Sequence, residues 1–354
     1  TRGAMMHSEP TTEDYSLLES DGNGKDTVAP PAVKRSWAPA LLIFFAVVVV
    51  SVTGFISLQP PPPPPTPPVI GASSKNGASV RLTITNGCKK DSLYLANFAF
   101  QAPFFPQDLE LAAGATHEFA IPDEGLAATR FWAKWGCDVT GSNCKIGQSG
   151  GPGESCDAAG CAPPIDSKFE ATFGCLPGTE KCAVNPSLPS EAIGPTDWWD
   201  VSQVDGWTLP YKVEVVGDCP ASPKVIDCSR LSLESCPSKE DLGGKVGTTT
   251  LRLRDPAGSG KTVGCYSPCA KLTYSQWGQG EGFTPESPEA RDYCCPTPPI
   301  EPAQCSNGPV IKTEFVKAVH ELCPGVYGYA YDDGMGLAQC PAGTRYDVTF
   351  YCPA

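Results

Sequence analysis

Residues 197–216, DWWDVSQVDGWTLPYKVEVV, combine three tryptophans and three aspartates and then alternate like a β-strand. Val213 and Val215 share one parity, and Lys212 and Glu214 share the other. Because successive side chains of a strand point to opposite faces, this alternation predicts a half-buried strand.

Asp200 and Asp205 lie five positions apart in this stretch. On an unbroken strand, an odd spacing sends two side chains to opposite faces of the sheet. If both aspartates serve one site, the chain between them has to turn or bulge, and Gly206 is where that is easiest. The alternative is that the tryptophans are core residues and the acids are solvated turn residues.

All 18 cysteines lie between Cys88 and Cys352. An even count at this density, dispersed among Gly and Pro, predicts a disulfide framework formed in an oxidising compartment. The chain has only three histidines, and no Cys-x-x-Cys couplet repeats at the spacing of a zinc ribbon. We therefore expect no metal and no cofactor.

The formal net charge is −13. Phosphate binding requires clustered Lys and Arg, so this charge argues against nucleic acid as a partner. Neutral or cationic ligands are the better prediction.

The first 58 residues predict a tail and a membrane anchor. Residues 1–37 are polar without helical or strand periodicity, which is typical of a disordered tail. Residues 38–58 are 21 positions without a charge, long enough to span a membrane as a helix. Lys34 and Arg35 precede this run and no basic residue follows until Lys75, which predicts a cytoplasmic N-terminus and an extracellular or luminal C-terminal domain. The alternative is a secretory signal that is cleaved to release a secreted protein.

Residues 59–77 predict a linker. The segment 60–68, PPPPPPTPP, favours a polyproline II rod of roughly 28 Å, because proline fixes φ and lacks an amide donor. A Gly/Ser-rich hinge follows it. The linker is either a stalk that holds a domain off the membrane or an undirected spacer.

From residue 78 the pattern predicts short β-strands with turns between them, as in a sandwich or barrel. The expected strands cover residues 80–85, 92–100, 117–121, 129–135, 169–173 and 346–350. Residues 219–305 show few periods and many cysteines, so we expect bridges to hold them. Residues 311–322 predict a helix with one apolar stripe, ended by Pro324.

Seven segments taken together resemble the thaumatin-like proteins, a pathogenesis-related family. They are ITNGC (84–88), RFWAKWGC (130–137), APP with FEATF (162–173), WWDVSQVDGWTLP (198–210), YCCP (293–296), ELCPGVYGYAYDD (321–333) and YDVTFYCP (346–353). The resemblance covers the domain 78–354. It implies a mainly β fold, a thaumatin-like β-sandwich core with disulfide-rich loop and helix regions.

The resemblance also implies a disulfide map. Seven bridges carry over by position: Cys88–Cys352, Cys137–Cys144, Cys219–Cys340, Cys228–Cys323, Cys236–Cys265, Cys269–Cys294 and Cys295–Cys305. The chain departs from the family at residues 146–149, where one expected cysteine is missing. The short loops that remain favour Cys156–Cys161 and Cys175–Cys182, and sequence alone leaves the crossed pairings open.

Many antifungal members of the family carry five polar residues that line an acidic cleft, and each has a counterpart here: Arg130, Glu170, Asp200, Asp205 and Asp332. Asp333 is an alternative to Asp332. The resemblance implies that such a cleft binds sugar hydroxyls, with aromatic rings as stacking faces, for which the candidates are Trp198, Trp199, Trp207 and Tyr331.

Three functions follow from the resemblance. The first is a membrane-anchored protein that binds β-1,3-glucan or a related cell-wall polysaccharide, with a role in defence. The second is a weak endo-β-1,3-glucanase, in which Glu170 acts as the acid, Asp205 as its partner and Asp200 as the orienting group. Hydrolysis requires two carboxyl groups about 5–5.5 Å or 6.5–9.5 Å apart, one of them protonated. The third is a structural or protein-interaction ectodomain without carbohydrate activity.

Overall fold

The computed structural model describes residues 77–100, 105–151, 156 and 159–353. The predicted tail 1–37, the predicted anchor 38–58 and all but the last residue of the predicted linker 59–77 lie outside the described residues. Within those ranges, no helix combines the length and the apolar character that crossing a membrane requires.

Short β-strands make up most of the regular structure of the described residues. In chain order they are β1 Ala78–Asn86, β2 Leu93–Ala99, β3 Leu109–Leu111, β4 Thr116–Pro122, β5 Leu126–Trp135, β6 Lys168–Phe173, β7 Val184–Asn185, β8 Leu188–Ala192, β9 Thr196–Ser202, β10 Gly206–Trp207, β11 Tyr211–Val216, β12 Val225–Asp227, β13 Glu240–Asp241, β14 Thr248–Thr249, β15 Arg252–Arg254, β16 Thr262–Tyr266, β17 Ala338–Pro341 and β18 Arg345–Phe350. The helices are α1 Pro268–Thr273, α2 Arg291–Cys294, α3 Pro302–Cys305 and α4 Glu314–Leu322. Single 3₁₀ turns lie at Leu233–Ser235, Gln276–Gly278 and Val310–Lys312.

Two large sheets form the body of the fold. One has five strands in the order β12-β11-β18-β1-β4, and the other has six in the order β17-β9-β6-β5-β2-β3. In the five-stranded sheet, β1 runs parallel to β18, whereas β11 pairs with β18 and β4 with β1 in antiparallel fashion. The six-stranded sheet is antiparallel throughout.

The core lies between these two sheets, because most side chains that face the other sheet are apolar and buried. The Phe119 and Phe131 rings, one from each sheet, lie 5.0 Å apart. The Trp199 and Tyr346 rings meet in the same way at 5.2 Å. Trp199 is only 1% exposed and Tyr346 is fully buried. The predicted mainly β sandwich is confirmed.

A buried ion pair also joins the two sheets. Arg81 of β1 contacts the carboxylate of Asp197 of β9, and both side chains are almost fully buried. The Gly174 amide and the Tyr346 hydroxyl also donate to this carboxylate, at 2.8 and 3.1 Å. Burial raises the pKa of Asp197 to about 6, against the opposing charge of Arg81. The first aspartate of the 197–216 stretch therefore has a structural role.

All seven strands expected from the sequence are present, with ends that move by a few residues, and the half-buried strand of the 197–216 stretch is β11. The helix predicted at 311–322 is shorter, and α4 begins at Glu314. Thr313 is extended and accepts a hydrogen bond from the Val316 amide, so it is the N-cap. Val310–Lys312 forms a separate 3₁₀ turn. The apolar stripe was visible in the sequence, but the cap that interrupts it was overlooked.

All nine expected disulfides are present, and they use all 18 cysteines of the chain. This includes the two pairs left open by the sequence, Cys156–Cys161 and Cys175–Cys182. Residues 219–305 contain only short strands and short helices, which three local bridges hold together: Cys236–Cys265, Cys269–Cys294 and Cys295–Cys305.

Candidate functional site

Three of the predicted site residues form a row across the six-stranded sheet. Arg130 of β5 is directly opposite Glu170 of β6, which is directly opposite Asp200 of β9. The Arg130 Nε donates to the Glu170 Oε1 at 2.9 Å, and both side chains are about a quarter exposed. Because directly opposite residues have Cβ atoms about 4.5–5.5 Å apart, Glu170 and Asp200 are neighbours on one face.

The chain leaves strand geometry between Asp200 and Asp205, as the odd spacing predicted. Strand β9 ends at Ser202, and β10 begins only at Gly206. Gly206 has φ +146°, and a Cβ there would lie 2.1 Å from the carbonyl oxygen of Cys265. Glycine is therefore required where the chain turns.

The turn brings Asp205 to the face that carries the row. Its carboxylate contacts the ammonium of Lys168 and accepts a hydrogen bond from the Tyr274 hydroxyl at 2.9 Å. Lys168 and Glu170 are two positions apart on β6, so their side chains share a face. Asp205 thus contacts Lys168, the neighbour of Glu170 on the same face of β6. Asp200 is the carboxylate directly beside Glu170.

The electrostatics keep Lys168 and Asp205 charged. Burial alone raises the pKa of Asp205, but the charges of Lys168 and Arg130 and two hydrogen bonds outweigh it, so this pKa lies below its ordinary value. Burial and the charge of Arg130 lower the pKa of Lys168. The charges of Asp205 and Glu170 raise it by more, so this pKa lies above its ordinary value. Asp205 is therefore an ionised, fully engaged carboxylate.

Asp166 belongs to the same face and was overlooked in the sequence. It is 6% exposed, and its carboxyl accepts a hydrogen bond from the Ser149 hydroxyl. Burial raises its pKa to about 6, against the charges of Lys168 and Arg130. It borders a hollow of about 40 Å³, together with Arg130, Trp132, Ser149, Gly150, Pro164 and Lys168. We call the set Arg130, Asp166, Lys168, Glu170, Asp200 and Asp205 the charged face.

Asp332 is placed differently from the other four predicted residues. It is 5% exposed, and its Oδ2 lies 2.8 Å from the His320 Nε2 of α4 and 2.8 Å from the Gly328 amide that donates to it. Its neighbour Asp333 is exposed and accepts a hydrogen bond from the Tyr327 hydroxyl at 2.8 Å. Asp332 thus anchors its own loop, and Asp333 is the acid that reaches solvent.

Two of the four aromatic candidates are wrong as stacking faces. Trp199 and Trp207 are 1% and 0% exposed, and the Trp207 ring stacks on Phe315 at 4.9 Å inside the fold. Trp198 is half-buried and shares its strand parity with Asp200. Tyr331 is also half-buried, and its hydroxyl donates to the Thr297 Oγ1 at 2.7 Å. Trp198 is the ring that can serve the charged face.

Hydrogen bonding to a polar ligand is the chemistry that this face can provide. It offers the Arg130 guanidinium and the Glu170 carboxylate, each about a quarter exposed, beside the Asp200 carboxylate, which is buried at 9% exposure. Among the described residues, no group of three His, Cys, Asp or Glu side chains is arranged to hold a metal ion.

These observations define a class of protein. It is a β-sandwich that many disulfides hold together, with a charged row on one outer face. Residues 86–353 match the model of the Thaumatin family, and the chain belongs to that family. It is similar to a thaumatin-like protein 1 from Pyrus pyrifolia, with 29% identity over 250 residues that cover 69% of this chain and 78% of the relative. It is also similar to a glucan endo-1,3-beta-glucosidase from Prunus avium, with 30% identity over 256 residues that cover 69% and 78%.

Among solved structures, the chain is similar to a laminaripentaose-producing β-1,3-glucanase in complex with laminaritetraose. The alignment covers 78% of this chain and 99% of that chain, with 12% identity and a TM-score of 0.43.

Proposed function

We propose that this protein binds β-1,3-glucan or a related cell-wall polysaccharide in a cleft over the charged face. The observation that carries the proposal is the Arg130–Glu170–Asp200 row, in which a donor and two acceptors lie side by side on three adjacent strands. Sugar hydroxyls donate and accept hydrogen bonds, so a row of both kinds of group suits a polyhydroxylated chain. The half-buried Trp198 ring adds an apolar surface beside it.

Binding is a better fit to this geometry than cleavage. A glycosidase needs one carboxyl as acid and a second as base or nucleophile. Asp205, the proposed partner of Glu170, is held by Lys168 and Tyr274. The Glu170 carboxylate accepts from Arg130.

Weak endo-β-1,3-glucanase activity is the second candidate, and one observation favours it. A relative from Prunus avium that is 30% identical is named a glucan endo-1,3-beta-glucosidase. The charged face supplies a pair of neighbouring carboxyls for this reaction, Glu170 with Asp200.

One experiment separates these functions. The full chain is titrated with soluble β-1,3-glucan by calorimetry, and reducing ends are assayed in the same samples. We expect binding without new reducing ends, and Glu170→Gln should weaken it about 10- to 100-fold, because a charged hydrogen bond contributes about 1.5–3 kcal/mol. The control is Glu214→Gln on the outer face of the other sheet, which should bind normally.

The results that contradict the proposal are equally specific. Reducing ends that vanish in Glu170→Gln would establish hydrolysis. Absence of glucan binding together with binding of a basic protein would favour an interaction ectodomain.

We also propose that the domain stands outside a membrane on residues 38–58, with the N-terminus in the cytoplasm. The support is a run of 21 uncharged residues before a domain whose cysteines are all paired, which indicates an oxidising compartment. In sealed vesicles that enclose the cytoplasmic face, added protease should spare residues 1–37. Digestion of these residues would contradict the orientation. Recovery of a soluble form that starts after residue 58 would favour secretion after cleavage. The role in defence stays a prediction.

A further inference from the structure

A second hollow, larger than the one at the charged face, lies at the N-terminal edge of α4. It encloses about 540 Å³ and shares no residue with the charged face. Four segments build it: the β13–β14 hairpin, α2, the turn 307–309 and the start of α4. Its lining includes the side chains of Lys239, Asp241, Thr248, Tyr293, Asn307 and Lys312. We call it the helix-edge pocket.

The walls of this pocket are fixed in advance. Cys269–Cys294 ties α2 to α1, and Cys295–Cys305 ties the residue after α2 to α3; Cys294 and Cys295 directly follow Tyr293. Cys236–Cys265 ties the chain before β13 to β16. A preformed pocket loses little conformational entropy on binding, and 540 Å³ is within the range of about 300–1,000 Å³ that is typical of ligand sites.

The amide groups at the start of α4 are already occupied. Glu240 of β13 is 3% exposed, and its carboxylate accepts from the Glu314 and Phe315 amides at 3.1 and 2.9 Å. The backbone amides that usually bind an anion at a helix N-terminus therefore already donate to a carboxylate of the protein itself.

The charges around the pocket oppose an ionic ligand of either sign. Because Glu240 is buried and already accepts from two amides, the exposed charges of the lining are the ammonium groups of Lys239 and Lys312 and the carboxylates of Asp241 and Glu314. An anion would meet two carboxylates, and a cation would meet two ammonium groups. A neutral molecule that both donates and accepts hydrogen bonds can pair with groups of either kind.

The remaining lining groups match that description. Asn307 and Thr248 are exposed and offer an amide and a hydroxyl. Tyr293 is half-buried and gives the pocket an aromatic ring with a polar edge. We propose that the helix-edge pocket is a second binding site of this domain, for a neutral oligosaccharide.

A second site has a consequence for polymers. A polysaccharide long enough to reach both sites would bind them at a high effective concentration, so it would be retained more tightly than a short oligosaccharide. This consequence rests on the proposed function of the charged face, whereas the pocket itself does not.

The test uses laminarihexaose, cellohexaose and maltohexaose as separate probes against the full chain. Calorimetry gives the stoichiometry, and amide NMR shifts of Thr248 and Asn307 report on the pocket. For the probe that binds, we expect Tyr293→Ala to weaken the pocket isotherm about tenfold and to abolish these shifts, while Tyr293→Phe keeps both. Tyr351→Ala, another half-buried tyrosine outside both sites, controls for loss of a ring.

The outcomes separate the two proposals. Binding that is lost in Tyr293→Ala but kept in Glu170→Gln supports the pocket, whatever happens at the charged face. Binding lost only in Glu170→Gln overturns the pocket and leaves the charged face intact. Absence of binding by all three probes overturns the pocket as well. If Tyr293→Ala fails to fold, Asn307→Ala, at an exposed position, replaces it with the same readouts.

Discussion

At the scale of single residues, Lys168 controls the chemistry of the charged face. Its side chain is 3% exposed, and its ammonium lies against the carboxylate of Asp205, a side chain that is 14% exposed. The pair is thus largely removed from water. Asp205 is held in place by this cation rather than poised to react.

Removal of this cation should be costly. We predict that Lys168→Met lowers the free energy of unfolding by about 3–5 kcal/mol, because it leaves the buried Asp205 charge without the ammonium group that contacts it. The double variant Lys168→Met/Asp205→Asn should recover part of this loss. Urea unfolding measures both.

The matched control is Lys245→Met. Lys245 also pairs with a carboxylate, Glu289, but its side chain is 82% exposed. Exposed pairs are screened by water, so its loss should leave stability nearly unchanged. Equal losses at positions 168 and 245 would contradict the burial argument.

Asp166 gives the charged face a dependence on pH. Its pKa is raised from 3.8 to about 6 by burial. The stability linked to this shift is complete below pH 3.8 and is lost as the pH rises through 6, because the folded carboxyl must then ionise while buried. A shift of this size corresponds to roughly 3 kcal/mol.

The prediction is a comparison of the wild type with Asp166→Asn. Between pH 4 and pH 7 the wild type should lose about 2–2.5 kcal/mol more stability than the variant, because part of the linked stability is already lost at pH 4; urea unfolding measures the difference. Because both proteins retain Asp197, its own raised pKa cancels in the difference. Asp138→Asn is the sign control: the pKa of Asp138 is lowered to about 2 by hydrogen bonds from Thr140 and Asn143, so any change should have the opposite sign. Parallel pH curves for wild type and Asp166→Asn would refute the prediction.

Part of this chemistry was readable in the sequence. Asp166, Lys168 and Glu170 alternate in DSKFE, and a two-residue period places such side chains on one strand face. Their partners Ser149 and Tyr274 are distant in the chain, and only the folded backbone brings them there.

At the scale of elements, the break after β9 is what assembles the charged face. Strand parity would direct Asp205 away from Asp200, and the chain turns at residues 203–205 before Gly206 enters β10. The odd spacing predicted this turn on the condition that both aspartates serve one site, which the resemblance to the family implied. It did not reveal that Gly206 contacts the backbone of β16, because that contact depends on a distant strand.

We predict that Gly206→Ala destabilises the fold by about 1–3 kcal/mol more than Gly217→Ala does. Both positions have positive φ, +146° and +114°, so both substitutions strain the backbone. Only at Gly206 would the new Cβ collide with another strand, whereas Gly217 has open space around it. Urea unfolding measures the difference, and equal effects would show that φ strain alone matters.

The two adjacent tryptophans also show what strand parity predicts and what depends on distant strands. Trp198 and Trp199 are adjacent, so strand alternation sends one outward and one into the core. The alternation itself was evident, but the inward face was not, since it depends on where the other sheet lies. Trp199 packs against Tyr346 of that sheet.

At the scale of the whole molecule, the disulfide map and the sandwich were the best predicted features. Cysteine positions survive as sequence landmarks, so the resemblance to a family carried seven pairings, and short loops indicated the remaining two. The site residues were predicted less accurately, since the exposure of a side chain depends on packing between distant segments. Asp332, for example, lies in the segment between α4 and β17, and its carboxylate contacts His320 of α4.

The Cys88–Cys352 bridge should contribute most to global stability. It joins the end of β1 to the chain just after β18 across a separation of 264 residues. Cys137–Cys144 closes only 7 residues. Since the entropy of the unfolded chain falls more when a longer loop is closed, we predict that Cys88→Ala/Cys352→Ala costs on the order of 5 kcal/mol and Cys137→Ala/Cys144→Ala roughly 2–3 kcal/mol. Urea unfolding of both double variants tests the order.

Cys175→Ala/Cys182→Ala controls for position, because this bridge also spans 7 residues but lies in another part of the domain. It should resemble the Cys137–Cys144 variant. The parallel pairing of β1 with β18 remains when the long bridge is removed, so the folded state loses little and the effect arises mainly in the unfolded chain. If either short bridge proved as costly as Cys88–Cys352, native contacts around the sulfurs rather than loop length would determine the stability of this domain.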